Sequence, residues 1–430
     1  PTPSGGVPAS LSDAGRATNY SFRVPQEVDL AAKHRAAFDL AWRAMRDHWY
    51  DERLGNRNWD EVRAKYRDVA ASPDPQQLAA VIQLMLGELN GSHLGFTLRP
   101  PASEGAGAWS PVTAHLGVRW DFSHAGPGLK VRDVIPDGPA DRRGAGVEAG
   151  DLVLSVDGTT VDATTDLARV LNGPASREDV VVAVRKPDGS ERTARIRPAR
   201  YSAVRSLLYP HWVRENRAAV EQASGGRLGY LHVRAMSQES FQQFEQDLYA
   251  AGVGKEGLII DVRDNGGGST ADHLLTALTQ PVHAITVPRG GGPGYPQDRK
   301  VYATWNKPVT VLCNQNSFSN AEIFSHAIKT LRRGQLVGVT TAGGVVSTGS
   351  RQIMDLGTLR MPTRGWFLRD SGEDLELHGA VPDHLVWIPA GVTGASADPQ
   401  LRKAVEVLLA DVDAARRTPA PALRKSTERR

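Results

Sequence analysis

The stretch "PVTVLCNQNSFSNAEIFSHAIK", residues 308–329, runs from an apolar segment through a polar turn into a helical pattern. Strand, turn and helix in that order are the unit from which an α/β layer is built. Two readings of Ser319 compete. Ser319-Asn320-Ala321-Glu322 spells Ser-x-x-Glu ahead of Ile323 and Phe324. That is a capping box, in which the hydroxyl accepts from the N3 amide and Glu322 reaches back. The same place suits a nucleophile, because a serine on a tight strand-to-helix turn is exposed and a helix N-terminus favours developing negative charge. Ser317 reads as a turn residue, and these residues alone leave both readings of Ser319 open.

Outward from this stretch, residues 203–390 alternate strand and helix patterns: "RLGYLHV", "SQESFQQFEQDLYAA", "GLIIDVR", "ADHLLTALTQ", "PVTVLCN", "SNAEIFSHAIKTL" and "QLVGVTT". That order predicts an α/β domain on a mainly buried sheet. A further helix over 396–416 is capped by Asp398-Pro399 and carries Leu401, Val405, Leu408 and Val412. Residues 110–200 break into short β-rich runs, "HLGVRWDF", "GLKVRDVI", "DLVLSVDG", "DVVVAVRKPDG" and "RTARIRP", punctuated by Gly and Pro. Residues 29–100 hold three helical patterns: Phe38, Trp42, Met45 and Trp49; Trp59, Val62, Tyr66 and Val69; and Leu78, Val81, Ile82, Met85 and Leu89. Asn58 and Asp74 are expected N-caps, Pro75 opens the third helix, and Gly91 is expected to stop it. Residues 1–28 read as a linker and 417–430 as a basic, flexible tail. The fold class is therefore α/β with α+β character across several domains.

Composition excludes several classes of function. With 40% apolar and 23% charged residues, the chain reads as an ordinary globular protein. A net charge of +3 over 430 residues does not point to nucleic acid or to a membrane surface. No run approaches the roughly 18 apolar residues needed to span a bilayer. The single cysteine, Cys313, precludes an internal disulfide and any paired-cysteine zinc site, and its apolar strand predicts a buried, inert thiol. The N-terminal "PTPSGGVPASLSDAG" has no Met, basic n-region or apolar h-region, so it reads as a linker in a fragment or processed chain.

A second chemistry-bearing stretch is "GLIIDVRDNGGGST", residues 257–270, where a strand enters three consecutive glycines. The residue types match neither the phosphate loop nor the dinucleotide fingerprint. An oxyanion hole built from glycine amides, or simply a tight turn, remains. A serine nucleophile needs a base. Among twelve histidines, His93 stands out for following a helix stop beside Ser92. No His-Glu-x-x-His occurs, which leaves a zinc protease unsupported.

The segment "HLGV" followed by "VIPDGPADRRGAGVEAGDLVLSVDGTTV" resembles a PDZ domain. That resemblance implies a carboxylate-binding loop at Leu116, Gly117 and Val118, which would take an extended peptide C-terminus by strand addition. A purely structural role for this domain is the other reading. Around it, "GSHLGF", "LIIDVRDNGGG", "SFSNAEIF", "TTAGGVV" and "LRDSGEDLELHGAVPD" occur in an order similar to the protease half of the tricorn protease family, relatives of the carboxyl-terminal processing proteases. The likeness covers about 30–415. It implies an N-terminal helical module carrying a catalytic His, a PDZ-like β-rich domain, and an α/β sandwich catalytic domain of the crotonase-like, processing-protease type.

By the same resemblance Ser319 is the nucleophile, His93 the general base, and Ser92 and Glu376 the groups that orient it. The backbone amides of Gly268 and Asn320 form the oxyanion hole; the family has Asp where this chain has Asn320. Glu373, Asp374 and Asp383 read as solvated loop charges. Processing proteases place a lysine base about 25 residues after the serine; here that residue is Gly344, which favours the histidine arrangement. The implied enzyme is a serine endopeptidase or oligopeptidase. It would cleave unfolded polypeptides or peptides through an acyl-enzyme, without metal or cofactor, in a cytoplasmic homo-oligomer, a hexamer in the family, and without nucleic acid or membrane partners. An exported protein is the alternative compartment. Family members carry upstream β-propellers that this chain lacks, so a longer native chain is expected. The acidic residue that selects basic P1 side chains would fall near Thr286 and Val287, yet "HAITVPRGGGPGYP" contains no Asp or Glu. The rival reading is a non-catalytic ligand- or peptide-binding protein on the same fold, as in retinoid-binding relatives, which predicts loss of nucleophile or base.

Overall fold

The computed structural model describes residues 9–11, 13–14, 17–19, 27–99, 113–172, 179–292, 294–296, 303–392, 394–419 and 421–428. Most of the 1–28 segment lies outside these residues; within it Ala9–Leu11 pairs antiparallel with Ala17–Asn19. The chain divides into two compact units, one of Pro1–Pro101 with Val346–Gly365, the other of Ala102–Val345 with Trp366–Arg430.

In the first unit, helices Leu30–His48, Trp59–Tyr66 and Pro75–Gly87 open on Asp29, Asn58 and Asp74. Each cap accepts from an amide of the first turn, at 3.0, 3.4 and 2.9 Å. The helical spacing turns Phe38, Met45, Leu78, Ile82 and Met85 into one core with Trp42, Trp49 and Trp59. Two expectations change. Val69 falls beyond the second helix and is exposed. The third helix ends at Gly87, not Gly91; Gly91 lies against the Trp49 ring, where a Cβ would come within 2.5 Å of it. The hairpin Ser347–Ile353 and Gly357–Arg364 pairs antiparallel with Gly95–Leu98, and Ile353, Leu359 and Met361 complete the same core.

The second unit begins with the PDZ-like sheet. Its strands run Glu191–Ile196, Val180–Arg185, Leu152–Val156, Leu129–Val134 and Val118–Trp120 across the sheet, so Val118–Trp120 stands at an edge. Alternation in Val180–Arg185 sends Val180, Val182 and Val184 into the core.

A five-stranded parallel sheet follows, ordered Leu228–His232, Gly257–Asp261, Val309–Cys313, Gln335–Gly338 and His384–Leu385. Spatial order equals chain order, so right-handed crossovers all land on one side. Helices Gln238–Gly252, Ala271–Thr279 and Asn320–Thr330 therefore share a core with Leu258, Ile260, Val311 and Cys313. Ile259, Leu312 and Val337 point the other way, into a core closed by helices Leu208–Ala223 and Pro399–Arg417. Helix Leu208–Ala223 is not among the elements expected from the sequence. This second unit is thus an α/β sandwich beside a β-rich domain, and its strands' C-terminal ends carry the loops described next.

Candidate active site

Three loops leave adjacent C-terminal strand ends: residues 262–270 after Gly257–Asp261, 314–319 after Val309–Cys313, and 339–346 after Gln335–Gly338. In open parallel sheets this edge is where loops gather around ligands. They are cross-linked by hydrogen bonds. Ser317 Oγ donates to the Val262 carbonyl at 2.7 Å and accepts from Asn314 N at 3.0 Å, a buried structural role that matches its reading as a turn residue. Phe318 N–H donates to the Asn265 carbonyl at 2.9 Å, and Ala342 N–H to the Ser317 carbonyl at 3.1 Å.

Ser319 sits at the N-cap of helix Asn320–Thr330 with φ 57°, ψ −118°. Caps Asp29, Asn58, Asp74, Asp166, Ser237 and Asp398 have φ between −67° and −105° and hold a side-chain oxygen over first-turn amides. Ser319 departs from all of them in φ, although both halves of its capping box are formed. A non-glycine residue in such backbone costs about 1–3 kcal/mol and persists only where its surroundings enforce it. What enforces it is Glu322. Its buried carboxylate accepts from Ser319 N at 2.9 Å, which is the reach-back half of the capping box. It also accepts from Thr341 Oγ1 at 2.6 Å, Gly343 N at 2.5 Å and Gly344 N at 2.8 Å. Gly344, the position of the absent lysine, thus contributes a backbone donor to the same carboxylate. The next amide, Val345 N, donates to Glu376 Oε2 at 2.8 Å. Glu376 is buried, and its own amide bonds Asp374 Oδ1 at 3.0 Å.

The glycine turn faces Ser319. Gly267 has φ +88°, and a Cβ there would meet Ser319 Cβ at 2.7 Å and Asn320 N at 3.0 Å. Gly268 has φ +146°, and a Cβ there would overlap the Met236 carbonyl at 2.0 Å. Both positions therefore require glycine. Gly267 N–H is taken by Asn265 Oδ1 at 2.9 Å. Among the described residues, the amides of Gly268 and Asn320 donate to nothing. Two unengaged amides beside a partly exposed serine at a helix N-terminus can stabilise developing negative charge.

Below the turn, a buried polar cluster holds its base. Arg263 binds Asp261 at 2.6 Å, Asp398 Oδ2 at 2.6 Å and Gln400 Oε1 at 3.1 Å. Tyr230 OH donates to Asp261 at 2.8 Å. Burial alone would raise the Asp261 pKa, but Arg263 more than offsets this and leaves the carboxyl below its usual range. Cys313 is buried and its thiol is pushed up to about 12 by burial, which makes it inert.

Of the other candidate residues, Ser92 and His93 belong to the first unit and Leu116, Gly117 and Val118 to the PDZ-like domain. In the first unit, Ser92 Oγ is 2.6 Å from His93 Nδ1, and His93 is buried at φ 60°. In the PDZ-like domain, Leu116 and Val118 are buried, while Gly117 N–H donates to His115 Nδ1 at 2.9 Å and its carbonyl accepts from Ile135. Asn265 and Thr341 are not among the candidate residues of the sequence, and Glu322 is there only as a cap. The signal for Asn265 was its place in "DNGGG"; nothing local marks Thr341.

Comparison with known proteins agrees with this architecture. The peptidase family S41 model matches residues 227–386, a PDZ domain model 130–185, and the tricorn protease C1 domain model 30–87. Tricorn protease homolog 1 of Streptomyces coelicolor is 34% identical over 91% of this chain and 36% of its own length. The tricorn protease of Thermoplasma volcanium is 27% identical over 87% of this chain and 36% of its own. The chain thus spans about a third of the length of these relatives. The C-terminal processing peptidase of Tetradesmus obliquus chloroplasts is 26% identical over 80% of this chain. A crystal structure of the tricorn protease superposes with a TM-score of 0.71 over 89% of this chain, at 24% identity. Among the described residues no helix is long and apolar enough to cross a membrane. With S41, PDZ and tricorn C1 segments in one chain, the protein belongs to the tricorn protease family of S41 peptidases, related to the carboxyl-terminal processing proteases.

Proposed function

We propose that the chain is a serine peptidase that hydrolyses peptide bonds of oligopeptides or unfolded polypeptides through an acyl-enzyme on Ser319. The observation that carries this reading is the backbone of Ser319, held at a φ that the other side-chain caps described do not share, beside the unengaged amides of Gly268 and Asn320. A capping serine needs neither feature.

In this mechanism Ser319 Oγ attacks the scissile carbonyl carbon while its proton passes to His93. The resulting oxyanion takes the Gly268 and Asn320 amides. Collapse breaks the C–N bond, and His93 returns the proton to the leaving amine. Water then attacks the ester, giving a proton to His93, and the acid product leaves as Ser319 regains it. Ser92 accepting from His93 Nδ1–H keeps Nε2 as the basic nitrogen, and Glu376 stabilises the imidazolium. Ser319 and His93 belong to different units, so their pairing is tested by chemistry.

Leu116, Gly117 and Val118 are assigned to peptide capture, because the neighbouring strand Val118–Trp120 is a sheet edge onto which a peptide can add. On family likeness we further propose that the whole protein is a cytoplasmic homo-oligomer, hexameric as in the resemblance above. The test is peptide-map mass spectrometry after treatment with a fluorophosphonate. One adduct on Ser319, lost in Ser319→Ala and reduced by at least about 100-fold in rate in His93→Ala, is expected. An adduct-free, folded wild-type chain returns Ser319 to the capping box and favours the binding-protein reading.

A further inference from the structure

The helix Ala271–Thr279 starts three residues after Gly268, and its N-cap is Thr270 at φ −112°, ψ 11°. Caps that hold an oxygen over first-turn amides sit in extended backbone. Thr270 does not, and it makes no side-chain cap bond. Its hydroxyl is buried and, among the described residues, finds no partner. The cap comes from another helix: Asn320 Oδ1 accepts from Ala271 N–H at 2.7 Å. A threonine in the capping place is left unsatisfied while a residue of the Ser319 turn does its work.

A second tie joins the same two loops further in. Asn265, fully buried, accepts from Gly267 N–H with Oδ1, donates from Nδ2 to the Val233 carbonyl at 2.8 Å, and receives Phe318 N–H on its backbone carbonyl. In chain order, Gly268 lies between Gly267 and Ala271 and Asn320 follows Phe318, so both unengaged amides lie between these ties. We infer that the Asn320 side chain is a positioning residue, the outer tie that sets the separation of the two amides receiving the oxyanion. This rests on Ser319 being the nucleophile.

The experiment is the kinetics of phosphonylation of the full chain by a fluorophosphonate, separating the maximal rate from the inhibitor's binding constant. Asn320→Ala removes the tie and leaves both amides in place. Its maximal rate is expected to fall at least about tenfold, a fraction of the loss when an oxyanion donor is deleted outright, with the binding constant unchanged. Asn320→Asp, whose carboxylate accepts the same amide, should stay within about threefold of wild type. Asn320→Leu keeps the bulk without the acceptor, should behave as the alanine variant, and carries the comparison should that variant not fold. A merely structural role would lower the thermal midpoint without splitting rate from binding. Wild-type rates in Asn320→Ala or Asn320→Leu, or an aspartate variant as slow as either, overturn the inference while labelled Ser319 still stands. An unlabelled Ser319 in the wild type overturns the nucleophile reading itself, and the inference with it.

Discussion

At the scale of single residues, the question posed by Ser319 is one of geometry rather than residue type. A capping box and a nucleophile are spelled by the same letters, and Glu322 performs the same reach-back in either case. What separates them is φ 57° against the extended backbone of the chain's side-chain caps. The constraint extends to Gly267, whose missing Cβ leaves room for Ser319 Cβ. Gly267→Ala would meet that atom at 2.7 Å and sit at φ +88°, where an L-residue costs about 1–2 kcal/mol. The expected result is a lowered thermal midpoint and a fluorophosphonate rate down by about 100-fold, as when an oxyanion donor is lost. A rate equal to wild type would show that the turn does not abut the reactive serine. Glu322 was legible as a cap but not as the hub of four donors, because three of those donors come from residues 341–344, remote in sequence.

Among the elements, strands and helices were legible wherever hydrophobic period and caps agreed. Helix Pro399–Arg417 begins at Asp398 as read, yet Asp398 also receives Arg263 at 2.6 Å and so ties the last helix to the glycine turn. No periodicity records such a double use. In the PDZ-like domain, the strand pair Ala114–His115 and Ala199–Arg200 presents His115, whose Nδ1 accepts from Gly117 N–H. Burial lowers the His115 pKa from the ordinary 6.5, and a protonated Nδ1 cannot accept that bond. The unfolded chain therefore takes up its proton first as pH falls. The stabilisation is complete above 6.5 and is lost as pH drops from there through the lower folded value. Imidazole titration by NMR should place the His115 midpoint below 6.5; a midpoint at or above it contradicts this sign.

For the whole molecule, the separate cores decide how it unfolds. The helical unit has its own core around Phe38, Met45 and Leu78, and the PDZ-like domain another around Val131, Val156 and Val182. Two-state behaviour is a property of single small domains. Calorimetry should give an endotherm whose van't Hoff enthalpy is clearly below the calorimetric one; a ratio of one would mean that the cores unfold as a single cooperative unit. The sequence by itself determined the order of elements, the helical module, the PDZ-like strands and the alternating α/β region, because period and capping are local properties; the candidates Ser319, His93, Ser92 and Glu376 come from the family resemblance. It did not determine that Ser347–Ile353 and Gly357–Arg364 build onto Gly95–Leu98, or that Asn320 caps the helix after Gly268. Only the tertiary structure decided those. Strand pairing across a long intervening segment and a cap borrowed from another helix depend on where the chain returns in space, and such returns leave no period in the sequence.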